Sequence, residues 1–310
     1  MDSNPLLIIL GPTASGKTKL AVRASLELGA EVISADSRQV FEGMDIGTGK
    51  DLQEYIINGQ AIPYHLINIR KAGEQYNVNA FKEDFYNIYQ DLTAVNKVPV
   101  LCGGTGMYIH SLLQNQEFTA VPVNQPFRES LPSHDIEALR SRLSLYPASV
   151  TAHADLSSAK RLVRALEIAE YLQHHTLAVV TYPALNPLII GLTGSVEQRR
   201  ERILTRLEER FNSGLIEEVQ SLLAAGVSAE MLLFYGLEYK FITSYLQNEI
   251  SLPELKEKLY IAICQFAKRQ MTFFRKMEKD GVVINWLDSD MGSDELTVKV
   301  MQLYATKYQS

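Results

Sequence analysis

Short apolar runs alternate with longer amphipathic stretches along the first third of the chain. Leu6–Leu10 is apolar throughout and is followed by Gly-Pro, as a buried strand would be. Lys17–Leu28 has helical spacing and is closed by Gly29. Glu31–Ala35 predicts a second strand, ending at Asp36, and His65–Ile69 a third. Val78–Leu92 sets Phe81, Phe85, Ile88 and Leu92 on one helical face. Val98–Cys102 predicts a fourth strand, broken by Gly103–Gly104 before a helix over Met107–Leu113. Strands alternating with helices predict a parallel α/β sheet covered on both faces.

The pattern changes at about Glu117. From there to Leu185 no segment reads as a strand. Pro122, Pro126 and Pro132 punctuate a loop, and Ile136–Leu145 and Ala159–Gln173 have helical spacing. Strand character returns at Leu188–Leu192. Helices are expected over Val196–Phe211, Leu215–Ala224, Leu232–Leu246 and Pro253–Met277, then a strand at Val282–Trp286 and a helix at Glu295–Tyr308. The predicted organisation is an α/β core made of residues 1–116 and 186–310, with an all-helical insertion over 117–185.

Composition narrows the class. The 310 residues are 46% hydrophobic and 21% charged, which excludes a disordered chain. Two cysteines, Cys102 and Cys264, exclude a cysteine-rich zinc module and fit a reducing compartment. No apolar run has the length of a membrane span, and Met1–Pro5 lacks the basic start of a signal peptide. A cytoplasmic protein with no membrane partner is expected. The net charge of −6 does not suggest a nucleic-acid partner, yet Lys268, Arg269, Arg275, Lys276 and Lys279 cluster around a single acid, Glu278. That cluster reads either as a solvated helix face or as a local phosphate-contact face.

The chemistry begins at Gly11-Pro12-Thr13-Ala14-Ser15-Gly16-Lys17-Thr18, which fits G-x-x-x-x-G-K-[ST] between a strand and a helix. Glycines let the backbone curl so that N–H groups converge on a phosphate, and the helix N-terminus adds partial positive charge. Lys17 can reach the outer phosphate, and the Thr18 hydroxyl can hold Mg²⁺. The motif indicates a di- or triphosphate without specifying which. An ATPase also needs an acid at the end of a later strand, and Val98–Cys102 and Leu188–Leu192 end without one. Asp36 ends an early strand instead, where ligands bind in open α/β sheets. It reads either as a group that accepts a proton or as a turn residue.

At this point the chain resembles a known family. GPTASGKT at Gly11–Thr18, SADSRQ at Ser34–Gln39, GMDIGT at Gly43–Thr48, GGTGMY at Gly103–Tyr108, RALE at Arg164–Glu167, GLIEEV at Gly214–Val219 and AKRQ at Ala267–Gln270 occur in one order. Together they are similar to the tRNA dimethylallyltransferases, or tRNA isopentenyltransferases, over about residues 5–288. The resemblance implies a P-loop NTPase-like parallel sheet and transfer of a dimethylallyl group from its diphosphate to N6 of adenine 37, beside the anticodon. The phosphate loop would then hold the diphosphate leaving group with Mg²⁺, which accords with the missing second acid. By resemblance the catalytic residues are Asp36 as base, Thr13 near the reacting centre, Lys17, and Arg206 as a diphosphate contact. Those meeting tRNA are Asp36, Ser37, Arg38, Gln39, Thr105, Arg128, Lys160, Arg161, Arg164, Lys268, Arg269, Gln270 and Arg275. Arg202 and Arg210 share a helical face with Arg206 and are read as ion-paired with the interleaved Glu197, Glu201, Glu208 and Glu209. A monomer is expected.

The chain departs from the family pattern in places. Gly236-Leu237-Glu238-Tyr239 has an acid where a cation is usual, Ile263-Cys264 replaces a Thr-Arg pair, Ser157-Ser158 replaces Asn-Asp, and Phe273 stands where Trp is usual. Glu238, Cys264 and the serine pair are expected on the tRNA-facing side. No zinc-finger pattern is present near the C-terminus. Two other readings remain open: a P-loop kinase of a small metabolite, and a tRNA-binding protein that has lost catalysis.

Overall fold

A computed structural model describes residues 4–114, 116–152, 154–178 and 180–309. They divide into two compact units, residues 1–114 with 183–310, and residues 115–182.

The first unit is built on β1 (Pro5–Leu10), followed by α1 (Lys17–Leu28) and β2 (Glu31–Ser34). A two-stranded antiparallel ribbon, β3 (Ile56–Ile57) and β4 (Gln60–Ala61), precedes β5 (Tyr64–His65), α2 (Val78–Ala94), β6 (Pro99–Gly103) and α3 (Gly106–Leu113). Leu6–Leu10 are completely buried, as a central strand covered on both faces must be. The second unit holds α4 (Gln125–Glu129), α5 (Ile136–Leu143), α6 (Ala148–Thr151) and α7 (Ala159–His174), with no strand among its described residues. Its core is Leu139, Leu143, Leu162, Leu166 and Ala169, on the facing stripes of α5 and α7.

The chain then returns to the first unit. It forms β7 (Asn186–Thr193), α8 (Val196–Asn212), α9 (Leu215–Ala224), α10 (Ala229–Tyr235), α11 (Leu237–Leu246), α12 (Leu252–Lys279), β8 (Asn285–Asp288) and α13 (Ser293–Tyr308). The main sheet has the order β5-β2-β6-β1-β7-β8, and every pair in it is parallel. From β1 the chain runs to one side of the sheet through β2 and β6, and later to the other through β7 and β8. The carboxyl end of β1 is therefore a switch point, where an open α/β sheet leaves a crevice.

Three local expectations shift. The third strand stops at His65, because Leu66 and Asn68 take positive φ values of 61° and 56° and turn the chain away. The last strand begins at Asn285 rather than Val282. The Val282 N–H still caps α12 by donating to the Met277 carbonyl, 3.0 Å away. The helix expected over Leu232–Leu246 breaks at Gly236, where a Cβ would lie 2.7 Å from Nη1 of Arg38.

Candidate active site

The phosphate loop joins β1 to α1 at the switch point. Ala14 and Gly16 both have left-handed backbone, with φ of 60° and 80°. α1 starts with no side-chain cap and no acid in its first turn, so its N-terminal N–H groups keep their partial positive charge for an anion. Nζ of Lys17 donates to the Pro12 carbonyl at 3.4 Å, which folds the side chain back over the loop. Burial lowers its pKa below the ordinary lysine value, offset in part by the negative charge of Asp36 and Glu54 and reinforced by the positive charge of Arg206.

Asp36 lies just past β2, and its Oδ1 accepts from the Arg38 N–H at 3.0 Å. The turn reading of this residue holds in the fold: the bond fixes one oxygen of its carboxylate at the end of β2. The turn is braced from β6 and its exit. The Ala35 N–H donates to the Cys102 carbonyl at 2.7 Å, the Thr105 N–H to the Ala35 carbonyl at 3.2 Å, and the Ser37 N–H to Oγ1 of Thr105 at 3.1 Å. Gln39 uses both ends of its amide within the fold, accepting from Oγ of Ser34 at 2.9 Å and donating to the Gly49 carbonyl at 3.1 Å. Burial pushes the Cys102 thiol up to about 12, so it stays neutral beside the Thr18 hydroxyl.

Arg206 projects from α8 into a narrow cleft lined by Thr13, Ala14, Ile203, Leu207, Arg210 and Ile263, and its guanidinium pairs with Asp51. Its neighbours Arg202 and Arg210 are ion-paired, but not with the interleaved glutamates: Arg202 bonds Asp290 at 3.0 Å and Arg210 faces Glu238 at 3.6 Å. Glu238 requires a correction. It is buried rather than exposed on a surface, and lies between Arg210 and Arg38, the latter 3.9 Å away. Arg38 also stacks over Phe266, 5.3 Å from the ring centroid. Cys264 likewise is half-buried against the helical core, and Ile263 lines the cleft with Thr13.

α12 separates its duties by face. Leu255, Leu259, Ile263, Ala267, Gln270, Phe274 and Met277 form its buried stripe, whereas Lys268, Arg269 and Arg275 are exposed. Gln270 points inward. Its Oε1 accepts from the Thr13 N–H at 2.8 Å and its Nε2 donates to the Gly104 carbonyl at 2.9 Å.

In the helical unit, Arg128 makes a bidentate pair with the buried Glu167, at 2.8 and 2.7 Å. Arg164 pairs with the same carboxylate and donates to the carbonyls of Phe118 and Val121. These two arginines hold the unit together from within. Lys160 and Arg161 are exposed, and Arg161 bonds Asp155 at 2.7 Å. Ser158 caps α7 by accepting from the Arg161 N–H, and Ser157 accepts from its guanidinium, so the serine pair keeps a capping role.

Several organising residues carried no sequence assignment. Glu218, in the first turn of α9, accepts from the N–H groups of Asp45, Ile46 and Gly47 at 2.7, 2.7 and 3.0 Å and from the Tyr239 hydroxyl at 2.7 Å. It thereby gathers the Gly43–Thr48 loop. Lys50, almost fully buried, bonds the Phe41 carbonyl and Asp45, each at 2.6 Å, and Asn68. The only signal for Glu218 was its place in GLIEEV, and nothing in its spacing pointed to residues 45–47.

Comparison with known proteins points to one family. The IPP transferase family profile matches residues 39–277, and the isopentenyl transferase profile matches residues 4–63. The chain is 46% identical over 307 residues to tRNA dimethylallyltransferase 2 of Phocaeicola vulgatus, covering 99% of this chain and 100% of that one. It is 46% identical over 303 residues to tRNA dimethylallyltransferase 1 of Parabacteroides distasonis, covering 98% of each. Its fold is similar to that of the tRNA isopentenylpyrophosphate transferase of Bacillus halodurans, with a TM-score of 0.72, 29% identity, and coverage of 98% of this chain and 97% of that one. A eukaryotic dimethylallyltransferase acting on tRNA shares the fold at a TM-score of 0.72 and 20% identity, over 99% of this chain and 77% of that one.

Proposed function

The chain belongs to the IPP transferase family, and on that premise we propose how its own residues carry the transfer of a dimethylallyl group to tRNA. The observation that carries the reading is a phosphate loop at the carboxyl end of β1 and Asp36 at the carboxyl end of β2, on the same edge of one parallel sheet. The relatives match the prenyl-transfer reading and not that of a small-metabolite kinase.

Dimethylallyl diphosphate binds with its diphosphate on the loop Gly11–Thr18. The free N–H groups at the start of α1, Lys17 and Arg206 stabilise the charge that grows on the leaving diphosphate as the C–O bond breaks. Arg206 leaves Asp51 to do so. The apolar wall of Ile203, Leu207 and Ile263 beside Thr13 and Arg206 suits a donor that is anionic at one end and hydrocarbon at the other. N6 of adenine 37, extruded from the anticodon loop, forms the new C–N bond, and its proton passes to Asp36. The adenine lone pair is delocalised, so a base held ready by the Arg38 turn bond lowers the barrier.

Mg²⁺ fits the donor set here. Thr18 offers one hydroxyl at the start of α1, beside the loop that would hold the diphosphate. That suits an ion held mainly by diphosphate oxygens and water rather than by a protein cage. When bound, Mg²⁺ would neutralise diphosphate charge. The exposed Lys268, Arg269, Arg275, Lys160 and Arg161 contact tRNA phosphates. Among the described residues no helix is long and apolar enough to cross a membrane. The test is mass spectrometry of tRNA nucleosides after incubation with dimethylallyl diphosphate. N6-(dimethylallyl)adenosine confined to position 37 is expected, and transfer of phosphate from ATP to a metabolite with unmodified tRNA would overturn the reading.

A further inference from the structure

The two halves of the reaction sit on different elements. The donor loop follows β1, and Asp36 follows β2, with β6 between those strands in the sheet. Their spacing therefore depends on whatever ties the loop to the exit of β6. Gln270 makes that tie, from a helix 257 residues away in sequence from Thr13.

Its geometry has a single solution. The Thr13 N–H can only donate and the Gly104 carbonyl can only accept, so the amide orientation is set and both of its ends are used. Gly104 must lack a side chain, because a Cβ there would lie 2.4 Å from Nε2 of Gln270. From Gly104 the path continues through Thr105, whose N–H and hydroxyl hold Ala35 and Ser37 on either side of Asp36. The bond also settles which loop groups face the donor: the Thr13 N–H is committed to Gln270, so the anion meets the later N–H groups of the loop. Lys268 and Arg269 beside it are exposed, whereas Gln270 is buried. Resemblance grouped Gln270 with the tRNA contacts; here both ends of its amide bond backbone inside the fold.

We propose that Gln270 is a positioning residue that sets the distance between the donor loop and Asp36. This rests on the functional reading above. A small misplacement of reacting groups can lower a rate by about 10²-fold without weakening binding. Gln270→Met keeps the length of the side chain and removes both hydrogen bonds. It is expected to lower kcat by about 10- to 10²-fold, with the KM for dimethylallyl diphosphate and the Kd for tRNA within about twofold of wild type. Gln270→Glu keeps an acceptor for Thr13 but sets a carboxylate oxygen against the Gly104 carbonyl, and is expected to lose at least as much kcat as Gln270→Met. Gly104→Ala, which pushes on the same amide, should lower kcat too, and combined with Gln270→Met it should cost no more than the larger single effect, because both act through one contact.

Thermal melts of each variant accompany the kinetics. Wild-type kcat in Gln270→Met, full additivity with Gly104→Ala, or a kcat loss accompanied by an equal fold-loss of tRNA affinity would each overturn the positioning role. A wild type that does not prenylate tRNA in the same assay overturns the functional reading and this inference with it. An active wild type with an indifferent Gln270 overturns the inference alone.

Discussion

Glu238→Lys tests the buried arginine–glutamate–arginine contact. From the family pattern, a cation at this position would be expected to tighten tRNA binding. The structure predicts a loss of stability instead. Glu238 is 8% exposed, with Nη1 of Arg210 at 3.6 Å and Nη1 of Arg38 at 3.9 Å. At an effective dielectric of about 20 each contact contributes about 4 kcal/mol of gross attraction. Desolvation of the carboxylate offsets much of that, and breaking a buried pair by removing one partner typically costs about 3–5 kcal/mol. Glu238→Gln should therefore lose about 2–3 kcal/mol, since the neutral amide removes both attractions without setting a like charge beside the guanidiniums. Glu238→Lys turns two attractions into two repulsions and should lose about 4–5 kcal/mol or more. That is a large part of the roughly 5–15 kcal/mol by which such domains are stable. Urea unfolding reads it directly: the midpoint should fall in the order wild type, Gln, Lys, with an unchanged slope. If Glu238→Lys kept the wild-type midpoint and bound tRNA more tightly, the carboxylate would not be buried between two arginines, and the reasoning would be wrong.

Lys17→Ala and Thr18→Ala should each lower turnover by about 10²-fold or more by weakening diphosphate and Mg²⁺ binding, as titration with inorganic diphosphate would register. Asp36→Asn should lower kcat by about 10²- to 10⁴-fold with donor affinity nearly unchanged, because the amide keeps the turn bond to Arg38 but cannot take a proton; equal losses of kcat and donor affinity would reassign Asp36 to binding. Lys268→Ala and Arg269→Ala should each weaken tRNA binding without sequence preference and reduce its salt slope by about one, measured by filter binding at several ionic strengths. At Glu31, burial alone would raise the carboxyl, but hydrogen bonds from Lys97 and His65 more than offset this and hold it below its usual value. A depressed folded-state pKa adds stability that is full above the unfolded value of about 4.3 and is lost as pH falls through the folded one. Glu31→Gln should accordingly flatten the acid limb of a stability–pH curve, and an unchanged limb would exclude this carboxylate as its source.

The sequence by itself determined what depends on neighbours in the chain. Leu6–Leu10 had to be a buried strand, since an unbroken apolar run has no polar face to offer water. Lys17–Leu28 had to be a helix, and GPTASGKT between the two had to curl, with Ala14 and Gly16 at positive φ. The seven ordered motifs pointed to the family before any coordinate was known. Those signals are periodicities and short fixed spacings, which local backbone sterics impose. What only the tertiary structure decided are the pairings of one polar side chain with distant backbone or charge. Gln270 meets Thr13 across 257 residues, Glu218 gathers residues 45–47 across more than 170, and Glu238 lies between two arginines rather than facing solvent. Arg128 and Arg164, read as cations for tRNA, converge on the buried Glu167. A polar residue shows the same letter whether it faces water, a phosphate or a buried partner. Its role follows from which chemistry the packed elements bring within about 3 Å, and no pattern along the chain encodes that distance.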